Sequence, residues 1–193
     1  MAEGIAYAWG TTAEERALPF PDDRSDDAGS ALLWRGVSIA APPAIVFRWL
    51  CQLREAPYSY DWIDNGGRQS PRALTSGLEQ LAAGQIVMSI FRLEAFEAPV
   101  HITVATPAGG RGANLFGVLR VTYWVRPEAP GLARLLVKLR IAPAPGWHVR
   151  LRNAALAWGD LVMMRRQLLN LKALAEAQAR GRMSIAPEAP PPA

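Results

Sequence analysis

The chain has a single cysteine, Cys51, and only two histidines, His101 and His148. One thiol closes no internal disulfide, which fits a reducing compartment. Cys51 sits in an apolar stretch and reads as a buried structural thiol. The two histidines are far apart and no cysteine pair exists, so zinc-ligand spacing is missing. No apolar run approaches the roughly 18 residues that span a bilayer. The N-terminus lacks the basic-then-apolar order of an export signal, because Glu3, Glu14 and Glu15 arrive early. The arginines are scattered, without a dense run or a nucleic-acid motif, so the net charge of +4 does not point to nucleic acid. Gly109-Gly110-Arg111-Gly112 lacks the Lys-Ser/Thr ending of a phosphate loop, opens no predicted helix, and reads as a flexible hairpin tip. No internal repeat is present. The expectation is a cytoplasmic, cofactor-free protein with no metal, no transmembrane segment and no nucleic-acid partner.

What is there is enough for one domain. The chain has 193 residues, half of them hydrophobic. That composition supports a core. Charge is unevenly placed. Residues 1–31 hold seven acids against two bases, a net of −5, while the remainder holds nineteen bases against ten acids, a net of +9. Residues 1–31 are read as a flexible acidic arm, with Trp9 and Phe20 as points that tack it to the body. Residues 32–180 form the domain, and the Pro/Ala-rich residues 181–193 form a disordered tail.

The longest periodic stretch is Trp147 to Ala179, which has no proline and is predicted as one helix about 45 Å long. Spacing at 100° places Leu151, Ala155, Trp158, Val162 and Leu169 on one apolar stripe, widened by Leu161, Met164, Leu168 and Leu171. Asp160, Gln167, Asn170 and Arg152 fall opposite. Ahead of it, Leu32 to Ile39 reads as a strand. Pro42-Pro43 opens a helix from Ala44 to Leu53, where a missing N–H costs nothing. Leu78 to Ala83 reads as a short helical piece. Strands follow at Gln85–Leu93, Ala95–Glu97, Val100–Ala105, Leu115–Arg126 and Leu132–Ala142. Short connections make them antiparallel.

Three blocks carry a family resemblance. They are Trp34–Ile39 with Ala41-Pro42-Pro43-Ala44-Ile45-Val46-Phe47-Arg48-Trp49-Leu50, then Tyr58–Asn65, then Met163–Lys172. In this order they resemble the START-like superfamily, also called SRPBCC. The resemblance implies an α+β helix-grip fold, a curved antiparallel sheet of about six to seven strands wrapped around a long C-terminal helix. It also implies a deep, mostly apolar cavity between them. Family members bind lipids, sterols, polyketides or plant hormones, and some are cyclases or dehydratases. They share no catalytic set that could be transferred.

The candidate site residues come from both readings. Tyr58, Tyr60, Asp61, Trp62 and Asp64 offer aromatic faces and carboxylates for a pocket rim, or simply turn the chain before Gly66-Gly67. His101 on a strand is a candidate cavity-facing acid or base, or a structural histidine. Tyr123, with Thr103, Thr122 and Trp124, can line a cavity if the register turns it inward. Trp158 lies on the helix stripe. Arg165 falls in the same stripe, where it needs Asp61, Asp64, Glu94 or an anionic ligand as partner, or reaches water along its stem. The function expected is binding of a small hydrophobic or semi-polar molecule. The alternatives are a cyclase or dehydratase using Asp61, Tyr60 or His101, and a regulatory domain with a collapsed cavity. The Arg/Leu face of the last helix allows transient membrane contact.

Overall fold

The computed structural model describes residues 4–21, 23, 29–144, 146 and 149–181. Its strands are β1 (Ala8–Trp9), β2 (Ala31–Ile39), β3 (Ile86–Val87), β4 (Phe91–Glu97), β5 (His101–Ala105), β6 (Leu119–Ala129) and β7 (Leu132–Ile141). Its helices are α1 (Ala13–Arg16), α2 (Pro43–Cys51), α3 (Asp61–Asp64), α4 (Arg111–Phe116) and α5 (Val149–Ala179), with a 3-10 turn at Gln52–Arg54. The sheet order is β1-β2-β7-β6-β5-β4-β3. All neighbours are antiparallel except β1, which adds to β2 in parallel. The sheet is open, and α5 lies across one face. This is the helix-grip arrangement, with seven strands in a mixed sheet.

Alternation fixes the two faces of the sheet. Leu33, Arg35 and Val37 of β2 pair with Leu139, Val137 and Leu135 of β7. Tyr123 and Val121 of β6 pair with those same β7 residues, Val137 and Leu139, and with Ile102 and Val104 of β5. These side chains point toward α5. Trp34, Lys138, Trp124 and His101 occupy the alternate positions and point away from it. The helix α2 starts at Pro43, where the proline ring suits the first turn. It buries Val46, Phe47, Trp49 and Leu50. Trp49 Nε1 donates to Gln178 Oε1 at 2.8 Å, and the backbone N–H of Ala40 donates to Glu176 at 2.9 Å. The end of α5 is thus fixed against the strand–helix turn. Cys51 is buried in this packing, and burial pushes its thiol up to about 12, as befits a structural thiol.

Several boundaries differ from the sequence reading. Part of the expected arm is folded onto the body. β1 pairs with β2, Thr12 and Glu15 form a reciprocal cap on α1, and Glu15 bridges Arg134 at 2.7 Å. The two chain segments come close where Gly10 crosses Gly36. A Cβ on Gly36 would meet Gly10 O at 2.8 Å, so glycine permits the approach. Phe20 is buried with its ring centroid 5.3 Å from Trp34 and 5.0 Å from Trp124, and Asp23 ion-pairs with Lys138 and Arg140. Trp9 and Phe20 do tack the segment down. Asp22 and residues 24–28 of the arm, Trp147 and His148 at the expected helix start, and the tail from 182 lie outside the described residues.

The expected single strand Gln85–Leu93 is two short ones. Met88 and Ser89 take left-handed φ values of 47° and 63° and fold the chain back on itself. Leu78–Ala83 is not helical, since Gly77 at φ +80° turns the chain instead. The glycine loop is not a bare hairpin tip. Gly110 caps α4, and β6 starts only at Leu119, after Gly117 at φ +85°.

α5 is rotated relative to the expected stripe. Its buried residues are Ala157, Leu161, Met164, Gln167, Leu168, Leu171 and Ala175. Leu151, Trp158 and Val162, predicted at the centre of the core stripe, are exposed. Apolar residues occur nearly all round this helix, so spacing alone does not say which face meets the sheet.

Candidate functional site

Helix and sheet do not close on each other completely. Between them lies a cavity of about 730 Å³. The sheet side is formed by Leu33, Leu119, Val121, Tyr123, Leu139 and Ile141, all on alternating inward positions. The helix side is Leu156, Asp160, Met163 and Gln167, which recur every three or four residues and so share one face of α5. Ser59, Ile63 and Asp64 from the α3 region, Met88 and Ser89 from the β3–β4 turn, and Leu115 and Phe116 from α4 complete the wall. Most of the lining residues are apolar, so the few polar groups decide orientation.

Those polar groups are held in place. Asp160 Oδ2 lies 2.7 Å from Arg35 Nη2. Arg35 is 1% exposed and also donates to the carbonyl oxygens of Trp34, Ala6 and Ala157. The cation is therefore locked behind the carboxylate, with Asp160 on the cavity wall. Burial pushes the Asp160 carboxyl up to about 6, against the pull of Arg35. Burial also lowers the Arg35 guanidinium from its ordinary value. Tyr123 Oη donates to Gln167 Oε1 at 2.8 Å, and Gln167 Nε2 donates to Pro57 O at 2.6 Å. Burial raises the Tyr123 phenol, so it stays protonated. Ser59 donates to Asp64, whose Oδ1 is buried without a hydrogen-bond partner among the described residues. Burial raises the Asp64 carboxyl as well. The polar set can thus fix ligand hydroxyls, accept or supply a proton at Asp160, and otherwise leave an apolar interior.

Of the residues predicted for the site, Tyr123 and Asp64 line this cavity. Tyr58 is buried behind the wall, at φ 57°, with its ring 6.1 Å from Trp49, and burial raises its phenol. Tyr58 and Asp61 instead border a smaller pocket of about 160 Å³ with Arg72, Arg166 and Asn170. Asp61 accepts from the backbone and hydroxyl of Ser70, a turn-holding role. Tyr60 lies under Arg166 at 5.9 Å, and Trp62 is 76% exposed. His101 is buried on the far face of the sheet, opposite Trp124, because the register places Ile102 inward. Trp158 points outward. Arg165 is exposed, with its guanidinium 5.6 Å from the Trp9 ring.

The sequence reading missed Arg35, Asp160 and Gln167. For Asp160 and Gln167 the available signal is the Leu156-Asp160-Met163-Gln167 spacing, a half-polar stripe on the long helix. Among the described residues, no group of three or more His, Cys, Asp or Glu side chains could hold a metal ion. No described helix is long and apolar enough to cross a membrane.

No family model matches the chain, and no curated protein matches it. Solved structures with similar folds include a protein from Thermus thermophilus, 17% identical, covering 77% of this chain and 99% of that one at a TM-score of 0.47. A START superfamily protein from Mycobacterium smegmatis is 12% identical, with 79% and 99% covered and a TM-score of 0.43. The di-domain ARO/CYC StfQ from the steffimycin biosynthetic pathway is 14% identical, with 78% of this chain and 46% of that one covered and a TM-score of 0.44.

Proposed function

We propose that the protein binds a small, largely apolar molecule between the sheet and α5, with one or more hydroxyl-type groups directed at Asp160, Tyr123 and Asp64. The observation that carries this reading is the cavity of about 730 Å³, apolar over most of its wall, with its polar groups fixed by partners behind them. Such a volume suits a molecule of drug or lipid-fragment size. Preorganised polar groups lower the cost of orienting it. A collapsed interaction domain would fill this space with side chains, which the observed volume disfavours.

A polarity-sensitive fluorescent probe with an apolar ring system tests the reading. It should bind one-to-one with a blue-shifted emission. Gly159 lines the cavity with open space around it, so Gly159→Phe should obstruct the site while the helix persists. Probe binding that survives in this variant unchanged counts against the cavity as the site.

A second reading is acid–base catalysis in the same cavity. It is favoured by Asp160, whose carboxyl is pushed up to about 6 beside an apolar wall. In that case Asp160, rather than Asp61, Tyr60 or His101, handles the proton. Turnover of a bound hydroxylated substrate that Asp160→Asn abolishes, with binding retained, would select it.

A further inference from the structure

Residues that line the cavity yet stay exposed mark its mouth. They are Ile63 on α3, Ser89 in the β3–β4 turn, Leu115 and Phe116 on α4, and Ala155 and Gly159 on α5. The surface around them is apolar too. Trp62, next to Ile63, is 76% exposed, and Trp158, next to Gly159, is 57% exposed. Leu151 and Val162 lie within a turn of Ala155 and Gly159 and are also exposed. Large apolar side chains gathered round one opening mark a contact surface rather than ordinary scatter.

Charge on the same elements is mostly basic, with the two half-buried aspartates of α3 the exception. Arg111 on α4, Arg150 on α5 and Arg68 just after α3 are exposed. α4 has no acid, and the only acid between Val149 and Ala175 of α5 is Asp160, which faces the cavity. The two aspartates of α3 are engaged by Ser59 and Ser70. A second copy of the chain meeting this face about a twofold axis would set arginine against arginine. Exposed tryptophans, bulky aliphatics and an arginine rim instead match the headgroup region of an anionic bilayer, where indole rings settle at the interface and guanidiniums meet phosphates.

We propose that this face docks on an anionic membrane with the cavity mouth toward the lipid, so that the ligand enters and leaves without crossing water. The exchange step rests on the reading of the cavity as a ligand site, whereas the docking does not need a ligand. Trp62 and Trp158 insert, and Arg68 and Arg111 hold the orientation.

Co-sedimentation of the full chain with vesicles tests this. Vesicles of equal parts phosphatidylcholine and phosphatidylglycerol should carry the protein down, and phosphatidylcholine vesicles should not. Added salt should weaken the binding. The double variant Trp62→Ser/Trp158→Ser, altered only at exposed positions, should bind about tenfold more weakly or worse. Ile5→Ser, at an apolar site ahead of β1 as exposed as Trp158, should bind as the parent does. No binding to the mixed vesicles, equal binding to both kinds, or a loss in Ile5→Ser as large as in the tryptophan variant overturns the proposal. So does a stable dimer that buries the face and leaves vesicles untouched. Ligand found in a chain that ignores vesicles refutes docking alone. Vesicle binding by a chain whose cavity holds nothing refutes the ligand reading alone.

Discussion

Arg35 on β2 and Asp160 on α5 meet at 2.7 Å in the interior and tie the sheet to the helix at the polar end of the cavity. The guanidinium has three backbone carbonyls as further partners, while the carboxylate keeps a side toward the cavity. A buried pair of this kind is costly to break and cheap to replace. Arg35→Met or Asp160→Leu alone strands one charge and should cost about 3–5 kcal/mol. The double variant Arg35→Met/Asp160→Leu should lose much less than the sum of the two. Urea unfolding of all four proteins measures the coupling.

The same pair sets a pH dependence. Burial lifts the Asp160 carboxyl from 3.8 to about 6 in the folded protein. The folded state therefore holds this proton more tightly than the unfolded chain. Its contribution to stability is fully present below about 3.8 and is lost as pH rises through about 6. Unfolding free energies measured from pH 4 to 8 should fall over that window by more in the parent than in the double variant.

The N-terminal segment should respond in the opposite direction. The hydrogen bond from Arg134 holds the Glu15 carboxyl below its usual value. Burial opposes the same shift at Asp23, yet hydrogen bonds from Lys138, the Phe20 backbone and Arg140 prevail and lower it. These depressed groups stabilise docking above the ordinary carboxylate range, and that contribution is lost as pH falls through their folded values. Amide exchange of residues 4–21 should speed up on acidification before the sheet itself opens. Phe20→Ala should produce the same local opening at neutral pH, because it empties the slot between Trp34 and Trp124.

The sheet and long helix are legible in the sequence because alternation and proline placement are local signals. The pattern predicts a strand over Leu32–Ile39, and Ala31–Ile39 is found. Pro42-Pro43 opens α2, and Ala179 ends α5. The site is much less legible. His101 and Tyr123 both sit on strands, and a shift of one residue in register decides which of them reaches the cavity. Helical spacing puts Asp160 and Gln167 on a solvent face, because α5 is apolar on its core, cavity and outer sides alike. Arg35 carries no signal of burial, since its partners come from residues 6, 157 and 160, remote in sequence. The turn at Met88-Ser89 needs left-handed φ at two non-glycine residues, which no propensity announces.

Gly159 offers a stabilising change. It lies within α5, its φ is not positive, and an added Cβ would meet nothing within 4 Å. Gly159→Ala should raise stability by about 0.5–1 kcal/mol through helix propensity. A thermal melt with a higher midpoint confirms it, and a lower one shows that the helix needs the glycine there.

Tyr123→Phe should cost about 1–3 kcal/mol, because it leaves Gln167 Oε1 buried without its donor. It should also weaken binding of hydroxylated ligands more than of plain hydrocarbons. Calorimetry with a matched pair of ligands, one carrying a hydroxyl and one not, reads that difference directly.

Native mass spectrometry of the freshly purified chain, with solvent extraction of whatever it releases, reads directly whether the cavity holds a ligand. A discrete added mass at one per chain, carried by an apolar molecule with hydroxyl-type groups and reduced in Gly159→Phe, is the predicted result. A chain at its bare mass that stays empty after exposure to a panel of lipids and polycyclic phenols would mean that the cavity is not a ligand site.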